Sequence, residues 1–298
     1  MSIIKKAIKG LYTRIINPCI NKMTANQSLD TLIEKVTKYY KNNPNYQEAI
    51  TILNREGFTS FPFKWVNEYS VDNIQVFYED DFPYVLHNRK KLFFPKIFSE
   101  QTVKEKYNAL LIEQDPRSTH CYFSKDFILE NETTFLDVGS AEGIIPLSFI
   151  DSIKSLYLFE CDPVWIDALK KTFYPYKNKT KIICKYVSDT NNTNSITLDT
   201  FLEDFNKSSN LFIKADIEGF EKNMIKGCRH VFNDFSSIQL SICTYHHIQD
   251  KKKLTKYLKN LFYIQYSESF MIWPWLAKRY KLKPPYFVTG IIRATKKN

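Results

Sequence analysis

Glycine is scarce in this chain, with 7 residues in 298, so two that fall close together mark a place where the backbone itself is needed. Long apolar stretches are missing as well. No run of 18 uncharged apolar residues occurs, and nothing at the N-terminus has the succession of a secretory leader. That argues against a membrane-spanning helix and against export by that route, and leads us to expect a cytoplasmic protein. The six cysteines, at 19, 121, 161, 184, 228 and 243, never form Cys-x-x-Cys. Several fall within predicted strands, where they read as reduced, buried, small hydrophobes. Internal repeats and low-complexity segments are absent too.

Acidic residues are missing from the first 26 positions, which carry Lys5, Lys6, Lys9, Arg14 and Lys22. Ile3, Ile4, Ala7, Ile8, Leu11, Tyr12, Ile15 and Ile16 recur there at helical spacing. Two readings stay open for residues 1–22: a basic amphipathic helix lying in an anionic membrane interface at the inner face, or a helix docked on the parent domain. The whole chain has a net charge of +10, which invites a nucleic-acid partner. Its joint richness in Lys, Asn, Ile, Tyr and Phe gives a duller origin for that charge, biased coding, and a nucleic-acid partner is not expected.

Against this background, residues 134–147, Thr-Phe-Leu-Asp-Val-Gly-Ser-Ala-Glu-Gly-Ile-Ile-Pro-Leu, stand out. An apolar run ends at Asp137, and Gly139 and Gly143 follow at once. A glycine turn between strand and helix lets a ligand approach the backbone. Some 20 residues later a second apolar run ends at Glu160, placed for ribose hydroxyls. Together they point to a nucleoside-binding α/β domain. The dinucleotide pattern Gly-x-Gly-x-x-Gly is not met, and Glu142 would face a pyrophosphate. An anionic side chain there suits S-adenosylmethionine, whose sulfonium and ammonium are cationic.

A third apolar run, from Asn210, ends at Asp216, followed by Glu218, Gly219 and a helical pattern. The chain here resembles the FkbM-type S-adenosylmethionine-dependent methyltransferases. The resemblance is carried by Asp137-Val-Gly139, by residues 159–163 (Phe-Glu-Cys-Asp-Pro) and by residues 214–221 (Lys-Ala-Asp-Ile-Glu-Gly-Phe-Glu), in that order. Residues 113–122, from Glu113 to Tyr122, and 243–247 (Cys-Thr-Tyr-His-His) resemble further stretches of one subgroup. Cys161 stands where the family more often has proline. The resemblance covers roughly residues 107–295. It implies O-methylation of a hydroxyl on a sugar, glycolipid or secondary metabolite, a small-molecule or glycan acceptor.

Strand and helix signals alternate from residue 134 to 261, among them a helix over 163–173, a strand over 181–188 and a helix over 220–232, and strand-like 262–268 and 286–294 close the chain. That predicts an α/β, Rossmann-like class I methyltransferase: a mostly parallel seven-stranded sheet with helices on both faces. Residues 1–116 form an N-terminal extension of helices, broken at Pro18 and Pro44, and a small β meander over 70–95. The methyltransferase domain takes residues 117–298.

Within that frame Asp137, Gly139, Ser140 and Gly143 are assigned to the methionine part of the cofactor and Glu160 to its ribose. Ser188 and Asp189 follow as an adenine-contacting pair, with an Asx turn as the alternative. Asp216 and His246 end neighbouring strands and share a crevice with Glu218. His246, near its ordinary pKa of about 6.5, could serve as the base that activates a hydroxyl. Alternatively, Asp216 and Glu218 hold Mg²⁺. Glu113, Gln114 and His120 would form a lid over the site if the subgroup resemblance holds, and Trp273 and Trp275 would stack on a sugar or close a core patch. Two rivals remain: a nucleic-acid methyltransferase, disfavoured because Asp216-Ile-Glu-Gly219 stands in place of Asn/Asp-Pro-Pro-Tyr, and a non-catalytic cofactor-binding scaffold.

Overall fold

The computed structural model describes residues 22–273 and 283–297, so Trp275 and nearly all of the expected basic helix lie outside the described residues. The chain forms two compact units, one of residues 1–64 with 272–286, the other of residues 65–271 with 287–298.

In the smaller unit, α1 (Lys22–Tyr40) and α2 (Gln47–Glu56) are separated at Pro44, as expected, with Asn43 accepting from Asn45 N at 3.1 Å. α1 buries Leu32, Ile33, Val36 and Tyr40, one helical stripe, and α2 buries Ala49, Ile50, Ile52 and Leu53. Asn54 Nδ2 donates to Thr37 Oγ1 at 2.9 Å between them. The Tyr40 ring packs on Tyr46 at 4.4 Å and Tyr286 at 6.4 Å.

The larger unit opens with the expected meander, β1 (Phe77–Glu79), β2 (Phe82–His87) and β3 (Lys90–Phe93), followed by α3 (Glu100–Glu113). Its turns carry positive φ at Asp80 and Asp81 (50° and 65°) and at Asn88 and Arg89 (49° and 65°). Short polar side chains tolerate the left-handed region, so a glycine-poor chain still makes tight hairpins. This compact unit begins after Lys64, so residues 65–116 of the expected extension pack with the sheet. Phe93 N donates to Thr172 Oγ1 at 3.0 Å, His87 Nε2 meets Ser148 Oγ at 2.7 Å, and Phe98 lies edge-on to Trp165 at 5.6 Å.

The strands that follow are β4 (Thr133–Val138), β5 (Ile153–Phe159), β6 (Thr180–Ile183), β7 (Tyr186–Val187), β8 (Ser195–Ile196), β9 (Asn210–Ala215), β10 (Ser237–Cys243), β11 (Phe262–Tyr266), β12 (Met271–Ile272), β13 (Phe287–Val288) and β14 (Ile291–Lys296). Between them come α4 (Ile144–Phe149), α5 (Pro163–Phe173), α6 (Leu198–Phe201), α7 (Glu221–Lys226), α8 (Arg229–Asp234) and α9 (Asp250–Leu258). Seven strands form one sheet in the order β11-β14-β10-β9-β4-β5-β6, with β14 antiparallel to both neighbours. This is the Rossmann-like, class I methyltransferase sheet expected. The chain adds strands outward from β4 to β6, then returns to add β9 on the other side. Ligands bind where strand order reverses in this way, at the carboxyl ends of β4 and β9.

Alternation along the strands divides the core. Leu136, Leu211, Ile213, Leu240, Ile242 and Ile292 share one cluster with Met224, Ile225, Val231, Phe232 and Leu254 from α7, α8 and α9. Each such buried side chain contributes about 1.5–3 kcal/mol. On the other face Phe212 stacks on Phe123 at 5.1 Å and tilts against Phe135 at 4.7 Å.

Two elements differ from expectation. The predicted strand 181–188 splits: β6 joins the sheet, whereas β7 pairs with β8 outside it. The predicted helix 220–232 is broken into α7 and α8 at Gly227. A Cβ on Gly227 would lie 2.2 Å from Ser188 O, so the backbone just past β7 packs against this break with no room for a side chain.

Candidate active site

The strand ends are built from β4 outward. Gly139 turns the chain at φ +80°, and a Cβ there would lie 2.1 Å from Asp216 O. Glycine therefore lets the ends of β4 and β9 close together, with Asp216 N donating to Val138 O at 3.0 Å. Ser140 is buried and donates its hydroxyl to Asp137 O at 2.8 Å, and Gly143, also left-handed, opens α4.

Asp137 and Lys214 are register partners on β4 and β9. Lys214 Nζ lies 2.9 Å from Asp137 Oδ1 and donates to Gly139 O at 2.6 Å. Burial pushes the Asp137 carboxyl up, with Lys214 opposing, while Asp137 and Asp216 hold the Lys214 ammonium above its usual range despite burial. Asp137 is 1% exposed. It supports the glycine turn through Lys214.

Glu160, just past β5, accepts from Ala141 N, Cys161 N and Asp162 N, each at 2.8 Å. Burial raises its pKa and these three donors oppose the rise. A carboxylate has about four lone-pair sites, so three amides fix its orientation and leave room for a hydroxyl. Beside it Glu142, half-buried, is pushed up to about 7 by burial. Ser188 and Asp189 follow β7 and so do not end a strand of the main sheet. Asp189 accepts from Ser188 Oγ at 3.3 Å and from Asn223 Nδ2 of α7 at 3.0 Å, and the Asn223 contact lowers its pKa.

Asp216 is the centre of the site. Its carboxylate accepts from Tyr245 OH at 3.1 Å and Tyr122 OH at 3.4 Å, and faces His246 Nε2 at 3.3 Å. Tyr245 OH in turn meets His120 Nε2 at 2.9 Å. Burial opposes ionisation of Asp216, but His246 and Lys214 outweigh it and hold the carboxyl well below its ordinary value. The segment around residue 120 is fixed over this face by Arg293 of β14, which donates to Cys121 O at 2.6 Å and Tyr122 O at 3.2 Å. Ser241 Oγ donates to Tyr122 O at 2.7 Å.

The role expected of His246 as a neutral base is corrected. The ring is 3% exposed in its side chain, with Glu221 Oε1 3.0 Å from Nδ1 and Asp216 on the other nitrogen. Burial would lower its pKa, yet Glu221 and Asp216 raise it well above 6.5. The two carboxylates thus favour the imidazolium, which has no lone pair to offer.

Mg²⁺ does not fit these residues. The side chains brought together here pair carboxylates with a histidine nitrogen or a cysteine sulfur rather than with the all-oxygen set that Mg²⁺ prefers, and the buried Glu221 also accepts from Ile217 N at 3.0 Å. Glu218 is 42% exposed in its side chain and lies 3.8 Å from His246 Nε2, which places cationic charge beside the carboxylates proposed as ligands.

His120 lies beside Tyr245 and Asp216, and Glu113 stands 3.9 Å from its Nδ1. Gln114 braces the segment instead, with Nε2 3.4 Å from His120 O. Trp273 belongs to the smaller unit. Site residues that sequence reasoning passed over are Lys214, Glu221, Tyr122, Tyr245 and Arg293. The first four lie inside the stretches that carry the resemblance, so the motif spacing held their signal. Arg293 has none, because only strand pairing brings it near.

Residues 156–276 match the methyltransferase FkbM domain family. No curated protein matches the sequence. Among solved structures, the methyltransferase FkbM from Methylobacillus flagellatus KT aligns at 16% identity over 65% of this chain and 51% of that one, with a TM-score of 0.45. This chain thus spans about half the length of that relative. An rRNA methylase from Streptococcus thermophilus aligns at 11% identity over 57% of this chain and 89% of its own, TM-score 0.38. M. capricolum TrmK, in complex with S-adenosyl-homocysteine, aligns at 12% identity over 57% and 65%, TM-score 0.35.

Proposed function

We propose, starting from the methyltransferase FkbM domain that residues 156–276 carry, that this chain is an S-adenosylmethionine-dependent O-methyltransferase. The acceptor is a hydroxyl of a sugar, glycolipid or secondary metabolite. The observation that carries the reading is the convergence of Tyr122, Tyr245 and His246 on Asp216, beside the glycine turn at the β4–β9 switch point.

The cofactor fits the residues present. Gly139 and Gly143 hold the turn in left-handed backbone packed closely on its neighbours, and the fixed carboxylate of Glu160 is suited to a ribose hydroxyl. When bound, S-adenosylmethionine supplies an electrophilic methyl group. Asp216, ionised and 21% exposed in its side chain, is the acceptor that can orient an incoming hydroxyl. The His246 imidazolium fixes that carboxylate from behind, with Glu221 as its counter-ion. Positioning of this kind accounts for much of the rate of a direct displacement.

Calorimetric titration with S-adenosylhomocysteine tests the cofactor. The wild type is expected to bind, and Glu160→Ala to bind at least tenfold more weakly, about 1.4 kcal/mol. A folded wild type that does not bind would overturn the reading, and the cofactor-binding scaffold with it. We also assign residues 1–22 to contact with an anionic membrane surface, on their run of five basic residues without an acid; this would suit a lipid-linked acceptor.

A further inference from the structure

A hydroxyl must lose its proton to accept a methyl group, and His246, as an imidazolium, cannot take it. We propose that His120 is the proton acceptor, through its Nδ1, and that Asp216 and Tyr245 set its tautomer. This rests on the methyltransferase reading above.

The argument follows the hydrogens along a chain of three groups. Asp216 is ionised and can only accept, so Tyr245 OH, 3.1 Å away, donates to it. With its one proton spent, the Tyr245 oxygen must accept from its other neighbour, His120 Nε2, at 2.9 Å. His120 therefore carries its proton on Nε2, and Nδ1 presents a lone pair. Nδ1 is buried and has no hydrogen-bond partner, in a residue 5% exposed. A buried nitrogen lone pair without a donor costs free energy, and a donor arriving with a ligand recovers it.

The groups that face the ring come from several elements. Glu113 Oε2 from α3 lies 3.9 Å from Nδ1, too far to bond and too near to admit an oxygen between them. An incoming hydroxyl therefore displaces the Glu113 side chain, which is 29% exposed. The other groups facing the ring are Asp216 from the end of β9 at 3.9 Å, Cys243 Sγ from β10 at 4.0 Å, and the phenols of Tyr122 and Tyr245. Two carboxylates stand among them, and His246 lies beyond Asp216, 3.3 Å from its Oδ1. In the step, the acceptor O–H bond breaks as Nδ1–H forms. The oxygen–methyl bond forms as the sulfur–methyl bond breaks. The products are the methyl ether, S-adenosylhomocysteine and protonated His120, which returns its proton to solvent.

The test is nitrogen-15 NMR on histidine-labelled full chain saturated with S-adenosylhomocysteine. At pH 7 His120 is expected as a neutral ring protonated at Nε2, with the shift of a bare nitrogen at Nδ1, while His246 shows two protonated nitrogens. Tyr245→Phe removes the oxygen that accepts from Nε2 and is expected to move the His120 tautomer toward Nδ1–H, facing Glu113. A wild-type His120 protonated at Nδ1 at pH 7 would overturn the proposal, and so would an unchanged tautomer in Tyr245→Phe. Failure to bind S-adenosylhomocysteine would sink the methyltransferase reading instead; the His120 signals of the unliganded protein would still report the relay.

Discussion

Lys214 is 5% exposed and joins Asp137 to the carbonyl of Gly139, so it carries both the charge balance of the strand pair and the shape of the turn. Replacing it with methionine leaves the Asp137 carboxylate buried without a counter-charge, and breaking such a pair costs about 3–5 kcal/mol. Urea unfolding of Lys214→Met should show that loss. Adding Asp137→Asn should recover most of it, because no unpaired charge is then buried. His246 makes a second expectation, in pH. Its folded pKa lies well above the unfolded value of about 6.5, so its contribution is complete below pH 6.5 and falls as pH rises toward the folded value. Asp216 has the opposite sign: its folded pKa is depressed, so its contribution is present above about pH 4 and is lost as pH falls through the folded value. Stability measured between pH 6.5 and 8.5 should therefore decline, by up to about 1.4 kcal/mol per pH unit from His246 alone. His246→Gln should flatten that decline; an equal slope in both proteins would place the proton elsewhere. Sequence spacing found His246 and Asp216 at neighbouring strand ends. It could not show that Glu221 stands behind the ring, a contact made only when α7 returns under the strand, and so His246 read as a base.

At the scale of elements, Arg293 of β14 ties the last strand to the segment that carries His120 and Tyr122. Hydrogen bonds from a charged donor contribute about 1.5–3 kcal/mol each. Arg293→Met should release that segment while the sheet persists. The measurement is amide hydrogen exchange, with faster exchange expected over residues 118–123 and unchanged protection in β4 and β9; uniform acceleration across the sheet would mean that Arg293 supports the whole fold. The elements that the sequence made legible were those with local signals. The helix 163–173 was bounded on both sides as found, with Pro163 at its first turn and Asp162 capping Val164 N at 3.0 Å. β4 and β9 read as buried apolar runs ending in acids. The elements that failed were decided by distant backbone. Nothing near residue 185 announces that β7 leaves the sheet for β8, and Gly227 looks like a tolerable helix glycine until Ser188 O lies against it. The meander was found from its alternation, but its attachment through Phe93, His87 and Phe98 was not visible.

For the whole molecule, the charge is distributed unevenly along the chain, and this decides the last prediction. Residues 1–26 hold five basic side chains and no acid, half of the net +10. Among the described residues, no helix is long and apolar enough to cross a membrane. Any membrane contact by this stretch is therefore of the surface kind, where basic residues contribute about 1 kcal/mol each near anionic lipid. Five of them give up to about 5 kcal/mol, enough for measurable partitioning, with the apolar positions of the same stretch adding to it. Such attraction is screened by salt, since the Debye length falls from about 10 Å at 0.1 M to about 3 Å at 1 M. The full chain is expected to sediment with phosphatidylserine-containing vesicles at 0.1 M salt. It should release largely at 1 M, and bind weakly to vesicles of phosphatidylcholine alone. Deletion of residues 1–22 removes all five charges and should abolish the partitioning, while S-adenosylhomocysteine binding, which the other unit supplies, stays unchanged. Equal partitioning after the deletion would assign the attraction to the remaining basic surface, and would remove the reason for placing the acceptor on a lipid.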